Sequence, residues 1–353
     1  MGMMEPGVAG QAQQLMGRLD AAASTEALEK VLREIRGLVA MRARNNDDAL
    51  ETGRLASGLY DRLLARAAWM ARAGPDAPGG GYCLVVLGSQ GRREQFLATD
   101  QDNALILGDG AQEGAFAAFA GRLAEILEAA GMPPCPKGIM AANPFWRRSF
   151  DSWSEAVDAA VDRPDAPDVL LVSLLADARP VAGDSVLAAT LADHLRRRLA
   201  EAPLATRLLA REALGFGPPA HLPGHLPLGR FGLGHTTMDL KRQAVYPLVL
   251  GIKALALDAG LAETETVARI AGLAGLGHFG DDLAGRLRQA FGHIQSLRLG
   301  VQASAHAGGR TPDNGLDLTD LHDGDKERLR EDLAALDRLA AILEHHFSLH
   351  ALT

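Results

Sequence analysis

Two aspartates, Asp100 and Asp102, follow a short turn that contains glycine and serine, at 88–91. In an extended segment the side chains alternate between two faces, so residues two positions apart point the same way. Two neighbouring carboxylates repel each other unless a cation lies between them. Mg²⁺ prefers oxygen ligands and commonly binds through one or two carboxylates together with substrate phosphates. The pair therefore predicts a site for Mg²⁺, or for Mn²⁺ in its place, that forms together with a phosphate ligand.

The turn has features that suit phosphate binding. Glycine at positions 88 and 91 lets the backbone approach a ligand closely, and N–H groups at the start of a helical turn can hold phosphate oxygens. Ser89 adds a hydroxyl donor. The Gly-Lys-[Ser/Thr] ending of a Walker loop is missing from 88–95, which disfavours an ATPase of that class. An acidic loop that caps a helix would give the same short pattern, so this alternative stays open for the turn and the pair taken alone.

The longer segment around the turn reads GSQGRREQFLATDQDNALIL, at 88–107. It resembles the signature of the DNA polymerase beta-like nucleotidyltransferase superfamily, and within it the bacterial nucleotidyltransferases related to PII-protein uridylyltransferase. The resemblance continues at CPKGIMAANPFWRRSFDSW (135–153), LADARPVAGD (175–184) and MDLKRQAVYPLVLGIKALAL (238–257), and so covers most of the chain. The last of these segments would belong to a helical substrate-binding domain.

The resemblance implies roles for five residues. Gly88 and Ser89 would contact the triphosphate of a nucleotide, and Asp100 and Asp102 would be catalytic metal ligands. The superfamily also uses a third carboxylate on a later strand, and Asp177, which follows an apolar run of strand length, is the candidate. As a catalytic residue and third metal ligand, Asp177 would orient and deprotonate the acceptor hydroxyl.

Four other residues are candidates for nucleotide binding. Gly91 belongs to the turn, Arg92 or Arg93 could neutralise phosphate charge, and Lys241 could reach the nucleotide from the helical domain. Lys241 could equally cover the surface of a helical bundle. Asp177, for its part, could be a turn residue paired with Arg179.

The reaction implied is in-line attack by an acceptor hydroxyl on the α-phosphorus of a nucleoside triphosphate, with pyrophosphate leaving. The resemblance leaves UTP and ATP open as donors, and a protein or a small molecule as acceptor. The alternative is a non-catalytic nucleotide-binding module that regulates or binds a partner. Three intact aspartates, Asp100, Asp102 and Asp177, favour the enzyme.

Composition argues against several other classes of protein. A net charge of −8 disfavours a general nucleic-acid-binding surface, which needs clustered Lys and Arg to neutralise phosphates. No basic leader precedes an apolar stretch, and no window approaches the roughly 20 apolar residues of a membrane span. With only two cysteines, Cys83 and Cys135, a disulfide framework is not expected. We therefore expect a cytoplasmic protein, and helical surfaces at both ends could support a homo-oligomer.

The sequence predicts an α+β fold in three parts. These are an N-terminal helical segment (1–75), a small mixed-sheet nucleotidyltransferase domain (76–190) and a C-terminal helical bundle (191–353). Hydrophobic periodicity predicts strands at 82–87, 102–107 and 169–175, and helices at 115–130, 186–199, 240–259, 263–273, 282–304 and 326–347. Trp146 and Trp153 would lie on one helix, where core packing explains them better than base stacking.

Overall fold

The structure is a computed structural model that describes residues 7–73, 78–216 and 237–349. It confirms the α+β fold, with a small mixed sheet and helices both before and after it in the sequence. The described residues form two compact units, each assembled from separate stretches of the chain. The division at 75 and 190 stays a prediction. No helix in the described ranges is both long enough and apolar enough to cross a bilayer.

The helices and strands follow one another along the chain in an irregular order. They are α1 (Val8–Ala21), α2 (Thr25–Arg44), α3 (Ala49–Arg72), β1 (Tyr82–Val86), α4 (Gly88–Gly91), β2 (Asn103–Leu107), α5 (Glu113–Ala129), β3 (Arg147–Ser149), α6 (Phe150–Asp162), α7 (Ala166–Leu175), β4 (Arg179–Gly183), α8 (Ser185–Glu201), α9 (Leu204–Phe216), β5 (Thr237–Asp239), α10 (Tyr246–Asp258), α11 (Thr266–Gly275), α12 (Asp281–Ala307), β6 (Gly315–Asp317) and α13 (Asp323–His346).

The first unit comprises the described parts of Met1–Arg42, Glu51–Ala156 and Asp177–His194. Its four strands form a mixed sheet in the order β3-β2-β1-β4. β1 is antiparallel to β2 and β4, whereas β2 and β3 are parallel. All five residues of β1 and all five of β2 are buried, so both faces of the central pair are covered, as expected for continuous apolar strands. The predictions of these two strands are confirmed.

Two tryptophans pack in the core of the first unit. Trp153 of α6 is fully buried and donates its indole N–H to the Leu105 carbonyl at 2.9 Å, which satisfies its polar atom inside the core. Trp146 is also buried beside it. Core packing is therefore confirmed for both residues. The shared helix is wrong, because Trp146 lies in a 3₁₀ turn before β3.

The second unit comprises Ala43–Leu50, Val157–Ala176 and the described part of Leu195–Thr353. α10 lies at its centre, buried along most of its length, and packs against α9, α11 and α13. The chain enters α10 through a five-residue π-helix, Lys241–Val245. β5 and β6 add a two-stranded antiparallel sheet. The C-terminal part is thus helical, as predicted.

The third predicted strand, at 169–175, is wrong, because these residues belong to α7. The helix begins with a capping box in which the side chains of Asp165 and Asp168 each accept the backbone N–H of the other residue. Six of its ten residues are buried, all of them within 169–175. An apolar run without a clear period cannot be distinguished from a buried helix by its pattern, which is why the sequence misled here.

Candidate functional site

The predicted turn leaves the sheet directly after β1. Gly88 has a φ of +55°, a left-handed conformation that glycine adopts without a steric penalty. The Leu87 N–H donates to the Asp102 carbonyl at 3.1 Å, so the turn leaves the sheet where the aspartate pair joins it. Ser89 is half-buried in the turn, and its carbonyl accepts the N–H of Glu94 at 2.8 Å. Glycine at position 88 is therefore favoured by the backbone itself.

The residues that alternate with the two aspartates anchor this segment. Gln101 donates its side-chain amide to the Met132 carbonyl at 2.8 Å. The side-chain oxygen of Asn103 accepts the N–H of Ala141 at 3.0 Å. Both anchoring side chains are buried, whereas the two aspartates are half-buried. This is the alternation that the sequence predicted, and it leaves the aspartates on the more accessible side.

The two aspartates converge with a third residue that the sequence reasoning missed. Ligand atoms of Asp100, Asp102 and Cys135 all lie within 4.8 Å of one another. Within the described ranges, no other set of three His, Cys, Asp or Glu residues converges in this way. Cys135 lies close to the two aspartates because it belongs to the 132–141 segment, which is hydrogen-bonded to the side chains of Gln101 and Asn103. No spacing rule connects a cysteine on that loop to the aspartates, so the sequence carried no signal for it.

The donor set fits a hard divalent cation. Burial raises the pKa of Cys135 to about 11, and Asp102 adds to the shift through its negative charge and a hydrogen bond, so the thiol is protonated at neutral pH. Oδ1 of Asp102 is buried and accepts no hydrogen bond from the described residues, although Asp102 has other interactions. Carboxylate oxygens suit Mg²⁺ and Mn²⁺, whereas sulfur ligands suit softer metals. Asp100 and Asp102 are therefore the fitting ligands in this cluster.

Arg92 lies buried between two carboxylates. Its guanidinium donates to Glu94 at 2.8 Å and to Asp177 at 2.5 Å, and none of the three side chains is more than 7% exposed. Burial alone would lower the pKa of Arg92, but Asp177 and Glu94 more than offset this effect and raise it. Removing one partner of such a buried pair typically costs about 3–5 kcal/mol. Arg92 thus connects the loop that follows the 88–91 turn with Asp177, which lies just before β4.

Gly91 is required by a close approach of two backbones. A Cβ atom at this position would lie 1.9 Å from the Asp177 carbonyl oxygen and 3.2 Å from that of Val86. The Gly91 carbonyl accepts a hydrogen bond from Arg179 at 3.2 Å. Arg179 also forms two hydrogen bonds to Asp61, at 2.6 and 2.9 Å. These contacts explain the glycine by packing within the protein.

One face of α3 supports the same loop. A Cβ atom on Gly53 would lie 3.2 Å from the Arg93 carbonyl oxygen, so α3 packs closely on the loop. The Tyr60 hydroxyl donates to the Phe96 carbonyl at 2.6 Å. Asp61 accepts hydrogen bonds from Arg179, which also donates to the Gly91 carbonyl. Gly53, Tyr60 and Asp61 are spaced so that they share one face of the helix. The sequence predicts α3 as part of a separate N-terminal helical segment and gives no sign of this support.

Arg93 and Lys241 occupy different environments. Arg93 is exposed and has a φ of +57°, a conformation that costs a non-glycine residue about 1–2 kcal/mol. Such strain is found mainly at functional sites. Lys241 is half-buried in the π-helix of the second unit, with its ammonium 5.6 Å from the centre of the Tyr246 ring. Its role at a nucleotide stays a prediction.

Asp177 lies outside the cluster of Asp100, Asp102 and Cys135. Its side chain is fully buried and paired with Arg92. It follows a helix and precedes β4, so the expectation that it follows a strand is wrong. Its role as a catalytic metal ligand stays a prediction.

Two family models match the chain. The model described as "Putative nucleotidyltransferase DUF294" matches residues 33–167, which include the turn, both aspartates and Cys135. The model described as "Putative nucleotidyltransferase substrate binding domain" matches residues 203–347, which include Lys241. No curated protein matches the chain. The chain therefore belongs to the nucleotidyltransferase family that carries a C-terminal substrate-binding domain, and nucleotidyl transfer is its general function.

Proposed function

We propose that the protein transfers a nucleoside monophosphate from UTP or ATP to a hydroxyl of a protein or small-molecule acceptor. The observation that carries the proposal is the convergence of the Asp100 and Asp102 carboxylates in a chain of this family. In the reaction, the acceptor oxygen forms a bond to the α-phosphorus, the bond to the β-phosphate oxygen breaks, and pyrophosphate leaves. The proton of the hydroxyl is released to solvent.

Charge balance supports a metal between the two aspartates. Asp100 and Asp102 would together carry two negative charges when both are ionised, which one divalent cation would balance. Mg²⁺ or Mn²⁺ bound there would neutralise triphosphate charge and polarise the α-phosphate. Asp100 and Asp102 would hold the ion, and the buried anchors of their segment fix the two carboxylates relative to the turn.

The turn is the proposed triphosphate site. Gly88 has no side chain to obstruct a phosphate, and Ser89 offers a half-buried hydroxyl next to it. Of the two arginines, Arg93 is the better candidate for contact with phosphate because it is exposed, whereas Arg92 is committed to Glu94 and a second carboxylate. Arg92 and Gly91 act indirectly, by holding the turn in place.

We assign Asp177 a positioning role that acts through Arg92. Its carboxylate is fully buried and bound to that guanidinium. In this role, Asp177→Asn weakens NTP binding and raises KM, while Mn²⁺ affinity without nucleotide stays within twofold. A third metal ligand would behave differently, because its loss lowers Mn²⁺ affinity directly. Mn²⁺ titration followed by electron paramagnetic resonance separates the two roles.

The activity test uses α-³²P-labelled UTP and ATP with Mg²⁺ and fractionated lysate of the source cells as the supply of acceptors. The test variant is Asp100→Asn with Asp102→Asn, which preserves side-chain volume and removes both charges. The matched control is Asp323→Asn with Asp325→Asn, an Asp-x-Asp pair of the same spacing at the start of α13. We expect labelled product and pyrophosphate from the wild type and the control, and neither from the test variant.

Two outcomes would contradict the proposal. If the test variant labels product as well as the wild type does, the two aspartates are not the catalytic metal ligands. If the wild type binds labelled NTP but transfers nothing in any fraction, the chain is instead a nucleotide-binding regulatory or interaction module. Direct Mn²⁺ titration supplies an independent check. The double variant should lose binding, while Cys135→Ser should retain it within about twofold, because sulfur is a poor ligand for hard ions.

A further inference from the structure

A cavity of about 680 Å³ lies in the first unit at the end of β2 remote from the aspartates. It is lined by the 107–113 segment, by β3 and by the start of α6. β2 and β3 are parallel, so their carboxyl ends meet here, and ligands of open α/β sheets bind at such ends. At about 3.3 Å per residue, the length of β2 places the cavity roughly 15–20 Å from Asp102. The cavity is therefore separate from the proposed catalytic site.

A buried guanidinium without a carboxylate partner lines this cavity. Arg147 is 6% exposed. Its Nη1 donates to the carbonyls of Ala141 and Ala142 at 2.7 and 3.2 Å, and its buried Nε has no hydrogen-bond partner among the described residues. No carboxylate of the described ranges forms an ion pair with it. Buried charges are normally paired, so Arg147 indicates an anionic ligand.

The neighbours of Arg147 suit a phosphate group. Arg148 donates its Nε–H to the Phe145 carbonyl at 2.8 Å and keeps the rest of its guanidinium available. The Ser149 hydroxyl oxygen accepts the Ser152 N–H at 3.1 Å, which leaves its proton free to be donated. These groups stand at the N-terminal end of the 13-residue helix α6, where the helix dipole favours an anion. Two guanidinium groups, a hydroxyl and a helix N-terminus together match a tetrahedral phosphate.

The remaining lining suits the organic part of such a ligand. The Phe145 ring is 44% exposed, and the Arg148 guanidinium lies 4.4 Å from its centre. A planar group can pack on the exposed part of the ring. Asp109 and Glu113 also line the cavity, are exposed, and form no ion pair with either arginine. They can accept hydrogen bonds from amino or hydroxyl groups. The volume falls in the range of sites for small organic ligands, about 300–1,000 Å³.

We propose that this cavity is a second binding site, which takes a small phosphate monoester of nucleotide size. The phosphate binds to Arg147, Arg148 and Ser149, and the organic part lies along Phe145. This inference is independent of the proposed transferase activity, because it involves neither the aspartate pair nor the turn.

The test is a calorimetric titration of the full-length protein with inorganic phosphate, AMP and UMP in the presence of EDTA, which prevents metal-dependent binding at the aspartates. Arg148→Gln removes one cation from the cavity. The matched control is Arg66→Gln, because Arg66 likewise donates its Nε–H to a carbonyl and lies 3.9 Å from an aromatic ring centre, that of Trp69. We expect Arg148→Gln to weaken monophosphate binding by roughly tenfold or more, since charge-assisted hydrogen bonds are the strong ones.

The other variants should leave this binding unchanged. Arg66→Gln and the Asp100→Asn, Asp102→Asn double variant should bind AMP and UMP within twofold of the wild type. Saturable binding of no probe, or equal binding by the wild type and Arg148→Gln, would overturn the proposal. If only the double aspartate variant loses AMP and UMP binding, the ligand binds at the catalytic site and the proposal is wrong. If inorganic phosphate binds as tightly as AMP and UMP, the role given to Phe145 is wrong.

Discussion

Replacing Gly91 with alanine would place a methyl group where two backbones meet. The new Cβ would lie 1.9 Å from the Asp177 carbonyl oxygen, whereas real Cβ atoms are essentially never closer than 3.0 Å to a neighbour. The turn and the segment before β4 would have to separate, and this movement would strain the Arg92 ion pair as well. Overpacking costs about 1–3 kcal/mol, and the disturbed buried pair adds to it. We expect Gly91→Ala to destabilise the first unit by about 2–4 kcal/mol.

The sign of this change separates two physical effects. Gly91 lies in a helical turn and does not have a positive φ, so intrinsic helix propensity alone predicts that alanine stabilises by about 0.5–1 kcal/mol. Gly121, in the middle of α5, supplies the matched control because a Cβ there meets nothing within 4 Å. We expect Gly121→Ala to leave stability unchanged or to raise it by up to about 1 kcal/mol.

The assay can report on the first unit by itself. The chain has three tryptophans, Trp69, Trp146 and Trp153, and all of them lie within that unit. Urea unfolding followed by tryptophan fluorescence therefore gives the free energy of unfolding of the unit that contains Gly91. If Gly91→Ala is as stable as the wild type, the close approach to Asp177 does not constrain this position and the reasoning fails.

Three further predictions concern the same unit. Asp177→Asn should lower the free energy of unfolding by about 1.5–3 kcal/mol, the range for hydrogen bonds to charged groups, because Arg92 loses one carboxylate and keeps Glu94. An unchanged urea midpoint would contradict the Arg92–Asp177 pair. Arg93→Gly should relieve the strain of the left-handed backbone conformation and raise the free energy of unfolding by up to about 1 kcal/mol. In steady-state kinetics the KM for NTP should rise several-fold. An unchanged KM would show that Arg93 does not contact the phosphates. The buried thiols of Cys83 and Cys135, whose pKa values are raised to about 11, should resist iodoacetamide at pH 7.5 and react faster as pH rises toward 11. The thiols of the unfolded chain ionise near pH 9, so the stability gained from burying the neutral thiols is present below pH 9 and is lost between about pH 9 and 11. Rapid labelling of the native protein at pH 7.5 would contradict the prediction, because it would show that the thiols are accessible.

The sequence was most informative where chemistry depends on local alternation. Asp100 and Asp102 share a side because their neighbours Gln101 and Asn103 are held in the core, and a period of two predicts that arrangement. The central strands were equally readable, since the two short apolar runs each end at a glycine, Gly88 and Gly108. The strand predicted at 169–175 is wrong because apolar residues occupy nearly every position of the run, which removes the period that identifies a helix.

What the sequence could not supply depends on contacts between distant segments. Arg92 and Arg93 are adjacent and identical in type, yet one is buried between carboxylates and the other is exposed. The difference between the two arginines depends on the tertiary structure, because Asp177, the partner of Arg92, comes from a distant part of the chain. Cys135 joins the aspartates for the same reason. The close contact at Gly91 is also tertiary, so a glycine that seemed to serve a ligand instead fits against the protein's own backbone.

A chain of hydrogen bonds connects the second cavity with the aspartate pair. Arg147 donates to the Ala141 carbonyl, the Ala141 N–H donates to the Asn103 side chain, and Asn103 is the neighbour of Asp102. A phosphate that draws Arg147 toward itself weakens the first bond and thereby loosens the anchor of the metal ligands. One neutral hydrogen bond contributes about 1 kcal/mol, which corresponds to a change of about fivefold in an equilibrium constant.

We therefore expect AMP to weaken Mn²⁺ binding by up to about fivefold. Linkage requires Mn²⁺ to weaken AMP binding by the same factor. The two factors can be measured by titrating Mn²⁺ at fixed AMP and AMP at fixed Mn²⁺, with free concentrations corrected for the complex that the two form in solution. Arg148→Gln should reduce the effect of a given AMP concentration, because less AMP is bound, whereas Arg66→Gln should leave it unchanged. If both factors equal one while AMP still binds, the bonds between Arg147 and Asn103 hold the structure together without coupling the two sites.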